Sequence, residues 1–147
     1  MKATRIDQIA IAVVDLDEAV DLYRRAFGIE VVSRTTSEVD GVEEAMLEVG
    51  GVYIQLLRPT REDSPVGRFL ARNGPGLHHV GFGVDDVASA LEHLRSEGVE
   101  VIDEVPRRAA DGTHDIAFIH PRAVGGVLVE LVGDTISDGD ATEAGRH

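Results

Sequence analysis

Four polar residues interrupt segments that are otherwise apolar, and each has a side chain that can coordinate a metal ion. Gln8 and His79 stand in the segments I-D-Q-I-A-I-A-V and H-V-G-F-G-V, while Gln55 and Glu130 stand in Y-I-Q-L-L and V-L-V-E-L-V. A carboxylate buried among such neighbours without a partner is energetically expensive, and a bound cation is one of the few partners that removes the expense. The pattern therefore indicates a metal site, provided that the fold brings the four side chains together.

Each of the four residues also has an ordinary structural explanation when it is taken alone. A glutamine on a strand is usually a surface residue or a hydrogen-bonded core amide, and a lone histidine such as His79 is usually a satisfied, partly buried side chain. Glu130 alone could face solvent on an edge strand. The elements that carry the four residues decide between these explanations and a shared site.

The first half of the chain predicts elements in the order βαβββ. A run of branched apolar residues at 6–13 predicts a strand. Asp15 then offers a helix N-cap, and apolar residues recur at three- and four-residue spacing until Gly28 ends the pattern. Three short strands are predicted after the helix, at 29–34, 43–49 and 52–57, with a Gly50-Gly51 turn between the last two.

The second half repeats this order after a connector that contains its own short helix at 64–72, with Ser64 as its cap. A strand at 77–84 is followed by a helix that Asp85 or Asp86 caps and that runs to Glu97. Three further strands are predicted, at 99–104, 116–120 and 127–132.

When the halves are aligned, Gln8 falls on His79 and Gln55 falls on Glu130. Two repeats packed around a pseudo-twofold axis would bring these equivalent positions together, so the sequence predicts one metal site between the repeats. The predicted class is α+β, with two tandem βαβββ repeats. Repeat one spans about 5–59, the connector 60–75 and repeat two 76–132, and the polar segment 133–147 is predicted to be a disordered acidic tail.

Composition narrows the possible functions. The 147 residues suit one domain, and the absence of cysteine excludes thiolate metal sites, thiol catalysis and disulfides. A formal charge of −13 argues against nucleic-acid or anionic-membrane binding, and no apolar run approaches the about 20 residues of a membrane span. We therefore expect a cytoplasmic protein. A small phosphorylated ligand fits the arginines of the central segments, although surface arginines often serve only solubility: Arg58, Arg61, Arg68, Arg72, Arg107, Arg108 and Arg122.

The chain also resembles the methylmalonyl-CoA epimerases of the vicinal oxygen chelate superfamily over nearly everything up to Val132. The segment P-T-R-E-D-S-P-V-G followed by G-L-H-H is the most specific part, because it resembles epimerases rather than glyoxalases or ring-cleaving dioxygenases. The matching stretches are I-D-Q-I-A-I-A-V-V-D-L at 6–16, D-G-V-E-E-A-M-L at 40–47, I-Q-L-L-R-P-T-R-E-D-S-P-V-G-R-F-L at 54–70, G-L-H-H-V at 76–80 and H-P-R-A-V-G-G-V-L-V-E-L at 120–131.

The resemblance implies a vicinal oxygen chelate fold with Gln55, His79 and Glu130 as metal ligands and Glu44 as a catalytic base. The epimerases have a histidine at the fourth ligand position, where this chain has Gln8, although some glyoxalase I enzymes have glutamine there. Two amide oxygens, one imidazole and one carboxylate suit Co²⁺, Mn²⁺, Ni²⁺ or Mg²⁺ better than a closed tetrahedral Zn²⁺ site. An acyl-CoA substrate and a homodimer are the partners that the resemblance implies.

Epimerisation of a 2-methylmalonyl thioester removes the proton at C2 and returns one to the opposite face, through an enolate. Glu44 is the first candidate for one face, and Glu130 is the candidate for the other. Glu43 and Glu48 are the alternatives to Glu44, and in an extended strand only Glu48 shares its face. The CoA phosphates would be bound by the N-terminus of the connector helix and by an arginine rim that includes Arg58, Arg61, Arg68, Arg107, Arg108 and Arg122.

Two other functions remain open from the sequence. A glyoxalase I-like, metal-dependent lyase would use the same site with a different substrate pocket. A ligand-binding protein that has lost catalysis would explain Gln8 in place of histidine.

Overall fold

Eight strands, three α-helices and a short 3₁₀ helix at Pro121–Ala123 make up the described part of the chain, which in this computed structural model is residues 1–136. The first half contains β1 (Arg5–Ala12), α1 (Leu16–Phe27), β2 (Val31–Ser37), β3 (Val42–Val49) and β4 (Val52–Pro59). After α2 (Pro65–Asn73), the second half contains β5 (Gly76–Gly83), α3 (Val87–Ser96), β6 (Arg107–Arg108), β7 (Asp115–Ile119) and β8 (Leu128–Val132). The α+β class with two βαβββ units is confirmed.

All eight strands form one sheet in the order β2-β3-β4-β1-β5-β8-β7-β6. Within each half the first strand pairs in parallel with the last, β1 with β4 and β5 with β8. The halves meet at the antiparallel pair β1–β5. The order on one side of this pair is repeated in reverse on the other, as a pseudo-twofold axis between β1 and β5 requires.

Capping residues determine where the helices begin and end. The Asp15 carboxylate accepts a hydrogen bond from the Glu18 amide at 3.0 Å, and Gly28 ends α1 with φ of 70°, a left-handed conformation that glycine adopts without strain. Asp86 caps α3 through the Ser89 amide, so it is the cap of the two candidates in the sequence. Such caps typically contribute about 1 kcal/mol each.

The two faces of the sheet have different partners. On one face, α1 packs on residues such as Leu47 and Leu56, and α3 packs on residues such as Ala117 and Leu131. On the other face, α2 covers one end by burying Val66 against β1, β3 and β4. The rest of this second face is open and forms a cleft.

The predicted strand at 99–104 is wrong in its position. Only Val101 makes a ladder bridge there, to Ile119, and the regular strand is the later β6. The Asp103 carboxylate accepts the Phe118 amide hydrogen bond at 2.8 Å, which removes a donor that a continued ladder would use. Pro106 then supplies no N–H of its own, so pairing resumes only after it.

The described structure continues beyond the predicted end of the second repeat. The amides of Gly133 and Ile136 donate to the carbonyls of Asp115 and Thr113, so residues 133–136 are hydrogen-bonded to the domain rather than part of a disordered tail. The rest of the predicted tail, 137–147, lies outside the described residues. Among residues 1–136, no helix is both long enough and apolar enough to cross a bilayer.

Candidate active site

Strand register places the four predicted ligands around the pseudo-twofold axis. Gln55 lies opposite Ala10 in the β1–β4 pair, and Glu130 lies opposite Gly81 in the β5–β8 pair. Ala10 and Gly81 are themselves equivalent positions of the two repeats. The side chains of Gln8, Gln55, His79 and Glu130 all line the cleft. The structure therefore brings the four positions to one cleft.

Gln8 is the centre of a direct contact cluster. Its amide nitrogen donates to Glu130 Oε1 at 2.6 Å and lies 3.3 Å from His79 Nε2. The Gln8 and His79 residues are only 4% and 6% exposed. Gly81 makes room for this cluster, because a Cβ atom at that position would overlap the Gln8 amide. One buried amide thus links the two repeats through their polar groups.

A second pair lies on the first half of the sheet. The Gln55 amide nitrogen donates to Glu44 Oε2 at 2.6 Å, and the Thr35 hydroxyl donates to Glu44 Oε1 at 3.2 Å. The structure also separates Glu44 from its alternatives. Glu43 forms ion pairs with Arg34 and Arg58 instead of lining the cleft, and Glu48 is exposed at the far end of β3.

Burial changes the protonation of the groups in the Gln8 cluster. Burial, followed by the nearby His78 ring, lowers the pKa of His79 to about 3, so this imidazole is neutral near pH 7. Burial raises the pKa of Glu130 to about 7; the Gln8 hydrogen bond and Arg107 oppose this rise, while Asp7 and Glu44 add to it. A cation bound beside the neutral imidazole of His79 would offset the free-energy cost of burying the Glu130 carboxylate in its charged form.

The donor atoms fit a divalent metal. Gln8 Oε1 and Gln55 Oε1 are buried, and no hydrogen-bond donor within residues 1–136 reaches either oxygen. Buried polar atoms are rarely left without a partner, and a cation is a suitable one. The same region contains no cluster of three His, Cys, Asp or Glu side chains arranged for a metal, so any site here needs its glutamines. The group would be held by the amide oxygens of Gln8 and Gln55 together with His79 and Glu130, and the Gln8 amide, whose nitrogen now faces His79 and Glu130, would have to turn its oxygen towards them.

Sequence reasoning missed part of the cleft wall. The cleft encloses about 410 Å³ and is also lined by His78 and Phe118. The Phe118 ring packs edge-on against His79, with ring centroids 5.9 Å apart, and the Arg107 guanidinium lies 5.1 Å from the Phe118 centroid. Phe118 stands in a continuous apolar run of β7, I-A-F-I, and nothing in that pattern distinguishes a cleft residue from a core residue.

Only two of the arginines that were predicted to form a rim line the cleft. Arg107 and Arg108 line the cleft. The others have partners elsewhere: Arg58 pairs with Glu43, the Arg61 guanidinium binds the carbonyls of Glu38 and Val39, Arg68 binds the Asp63 carbonyl and Arg122 pairs with Glu100.

Comparison with known proteins defines the class. A family model described as the Glyoxalase/Bleomycin resistance protein/Dioxygenase superfamily matches residues 7–118, and the chain belongs to this superfamily. Within it, the chain is related to the methylmalonyl-CoA epimerases, as the resemblance in the sequence predicted.

Three relatives illustrate this relationship. The methylmalonyl-CoA epimerase of Streptomyces coelicolor, solved as a variant in complex with 2-nitronate-propionyl-CoA, is 47% identical with a TM-score of 0.83, over 90% of this chain and 96% of its own. An ethylmalonyl-CoA/methylmalonyl-CoA epimerase of Cereibacter sphaeroides is 35% identical over 86% of this chain and 96% of its own length. The uncharacterized protein YqjC of Bacillus subtilis is 39% identical over 86% of this chain and 90% of its own length.

Proposed function

We propose that this chain epimerises methylmalonyl-CoA, or a close 2-substituted malonyl thioester, by proton transfer at C2. The observation that carries the proposal is the placement of two carboxylates, Glu44 on β3 and Glu130 on β8, in one cleft and on different halves of the sheet. Each accepts a 2.6 Å hydrogen bond from a glutamine amide. A two-base inversion at one carbon uses a proton-transfer group on each face, and this arrangement provides two candidates.

The two carboxylates would exchange roles with the direction of reaction. One takes the C2 proton of the thioester and leaves an enolate, and the other, protonated, returns a proton to the opposite face. Without a bound ion, burial raises the pKa of Glu130 to about 7, so the protonation of this carboxylate can change near neutral pH. A divalent ion held by Gln8, Gln55, His79 and Glu130 would supply Lewis-acid stabilisation of the charge that develops on the thioester oxygen.

Arg107 and Arg108 would hold the anionic parts of the substrate. The Arg107 guanidinium is fixed between the Phe118 ring and the Asp103 carboxylate, with Nε 3.4 Å from Asp103 Oδ2. Arg108 is oriented by Asp115 at 3.1 Å. Arginine binds carboxylates and phosphates well because its donors form a planar fork.

We also propose a homodimer, which light scattering on the purified protein would test.

The deciding experiment incubates methylmalonyl-CoA with the metal-loaded protein in deuterium oxide. We expect deuterium at C2 and conversion of a single C2 epimer into a mixture of both, followed by mass spectrometry after chromatographic separation of the two epimers. Protein-free and metal-free samples correct for spontaneous exchange. Binding without exchange would support a non-catalytic ligand-binding protein, whereas turnover of a hemithioacetal without exchange would support a glyoxalase I-like lyase. Either result would overturn the proposal.

A further inference from the structure

Two adjacent histidines of β5 point into the same cleft, which regular strand geometry does not allow. Successive side chains of a strand alternate between faces. Here His79 pairs with Ala10 and Leu77 pairs with Ile11, so His78 has no partner on β1 and forms a β-bulge. Both imidazoles line the cleft, with ring centroids 5.1 Å apart. The bulge has redirected the His78 side chain towards the site.

The same irregularity occurs at the equivalent position of the other repeat. Ile6 pairs with Phe82 and Gln8 pairs with Gly81, so Asp7 is left without a partner on β5. Asp7 precedes Gln8 as His78 precedes His79. An extra residue beside the cleft-facing polar residue of each repeat is therefore a feature of the repeated unit rather than a local accident.

With the Gln8 amide nitrogen facing His79, the contacts around this ring favour one arrangement of its protons. The Gln8 amide nitrogen can only donate, and it lies 3.3 Å from His79 Nε2, so Nε2 must be the acceptor of that neutral ring. The proton of His79 is then on Nδ1, which lies 2.8 Å from Nδ1 of His78. Nδ1 of His78 must accept, and its proton is on Nε2. The Phe69 ring packs edge-on against His78 at 5.0 Å between centroids.

We propose that His78 is a positioning residue, which holds His79 in the Nδ1–H tautomer and directs the Nε2 lone pair towards Gln8 and Glu130. The inference deepens the metal site of the proposed function, because a histidine that binds a metal through Nε2 needs an acceptor for its other ring nitrogen. A carboxylate or a carbonyl usually fills that role. In this chain a second imidazole fills it, through the bulge.

The first test needs neither metal nor substrate. Long-range ¹H–¹⁵N correlation spectra of the metal-free, ¹⁵N-histidine-labelled protein distinguish the two tautomers, and a His79→Gln sample assigns the signals. We expect the Nδ1–H form at His79 in the unaltered chain. In His78→Phe, which keeps a ring against Phe69 but removes the acceptor, the share of the Nδ1–H form should fall, because only the Gln8 amide then favours it. His78→Asn, which restores an acceptor oxygen, should return His79 towards the Nδ1–H form.

The second test titrates Co²⁺ into the same variants. The His78→Phe chain should bind Co²⁺ about 10- to 100-fold more weakly, and His78→Asn should recover part of the loss. Thermal melts confirm that both variants are folded. An Nε2–H tautomer in the unaltered chain, or equal Co²⁺ affinity in folded His78→Phe, would overturn the role of His78. If the unaltered chain bound no divalent metal, the proposed metal site would fail, and the tautomer spectra would still decide what His78 does.

Discussion

Glu44 and Glu130 face one cleft from different surroundings. Glu44 accepts hydrogen bonds from a hydroxyl and an amide on the first half of the sheet. Glu130 has one amide donor and lies beside the neutral His79, and burial raises its pKa to about 7. Glu130 is therefore a carboxylate whose protonation can change near neutral pH, as a group that both takes up and returns a proton requires.

Glu44→Gln keeps the size of the side chain and removes the base. If Glu44 serves one face of the substrate, epimerisation should fall by about 10²–10⁴-fold while metal content stays normal, because the amide cannot take up a proton. Deuterium exchange on the other face could continue through Glu130. Glu48→Gln on the same strand is the matched control and should leave both rates unchanged. Near-normal epimerisation in Glu44→Gln would remove Glu44 from the mechanism.

Glu130 should destabilise the metal-free fold at alkaline pH. Its pKa in the folded chain is raised, so its contribution to stability is complete in acid below the ordinary glutamate range and is lost as the pH rises through about 7. Glu130→Gln has no charge to bury, and in chelator at pH 8 it should be more stable than the unaltered chain by on the order of 2 kcal/mol. Urea unfolding at pH 8 and pH 4 measures this. A gain of equal size at both pH values would show that the charge is not its cause.

Gln8 stands at the position where the resemblance to the epimerases implies a histidine. An amide oxygen is a poorer donor than imidazole towards late first-row metals, so Gln8→His should tighten Co²⁺ and Ni²⁺ binding by on the order of 1 kcal/mol or more, roughly tenfold. Mn²⁺ and Mg²⁺ should change less. Competitive metal titration of the two proteins measures the difference. Equal affinities, together with a lower melting temperature without metal, would mean that Gln8 is a core amide and not a ligand.

The sequence predicted where the polar residues of the site would meet, and the reason is their position in the repeats. Gln8, Gln55, His79 and Glu130 stood out because each interrupted an apolar strand at an equivalent position. Their roles as ligands and bases remain predictions. His78 could not be placed, because alternation puts it on the face opposite to His79 and only the bulge reverses this. The adjacent histidines beside the equivalent Asp7-Gln8 pair were the available signal.

At the level of elements, capping residues made the helices predictable and long-range pairing made one strand unpredictable. Asp15, Gly28 and Ser64 act within a few residues of their helix, so local sequence determines them. The segment at 99–104 has the alternation of a strand, but its pairing depends on whether β7 offers free donors. Asp103 takes one of these donors, and this contact joins residues that are distant in sequence.

Strand β5 has no room for a side chain at Gly81, where it passes the site. An added Cβ atom at Gly81 would overlap the buried Gln8 amide, whereas at Gly83 it would overlap the side chain of Arg5, which is 39% exposed and can move into solvent. Gly81→Ala should therefore lower stability by about 1–3 kcal/mol and weaken metal binding, because Gln8 must shift. Gly83→Ala is the matched control and should cost less on both measures. Equal losses in chemical unfolding and metal titration would show that Gln8 is not held by this close approach.

In the whole molecule, the two repeats contribute residues to the same cleft. The repeats share the β1–β5 pair, and the four candidate ligands come from β1, β4, β5 and β8, two strands of each half. An ion bound by all four residues would connect four strands, two from each repeat. The hydrogen bond from Gln8 to Glu130 connects only β1 and β8. Metal binding should therefore stabilise the domain as a unit.

This coupling predicts a metal-dependent melting temperature. A ligand that binds only the folded chain stabilises it by about 2.7 kcal/mol at 100 times its dissociation constant, so the melting temperature should rise with Co²⁺ or Mn²⁺ concentration. Elemental analysis should find one ion per chain, and chelation should abolish proton exchange at C2. His79→Gln should lose most of the thermal shift, whereas His93→Gln, which changes a histidine of α3 outside the cleft lining, should keep it. Full activity and an unchanged melting temperature after chelation, with metal loss confirmed, would show that the buried amide oxygens of Gln8 and Gln55 serve some purpose other than metal binding.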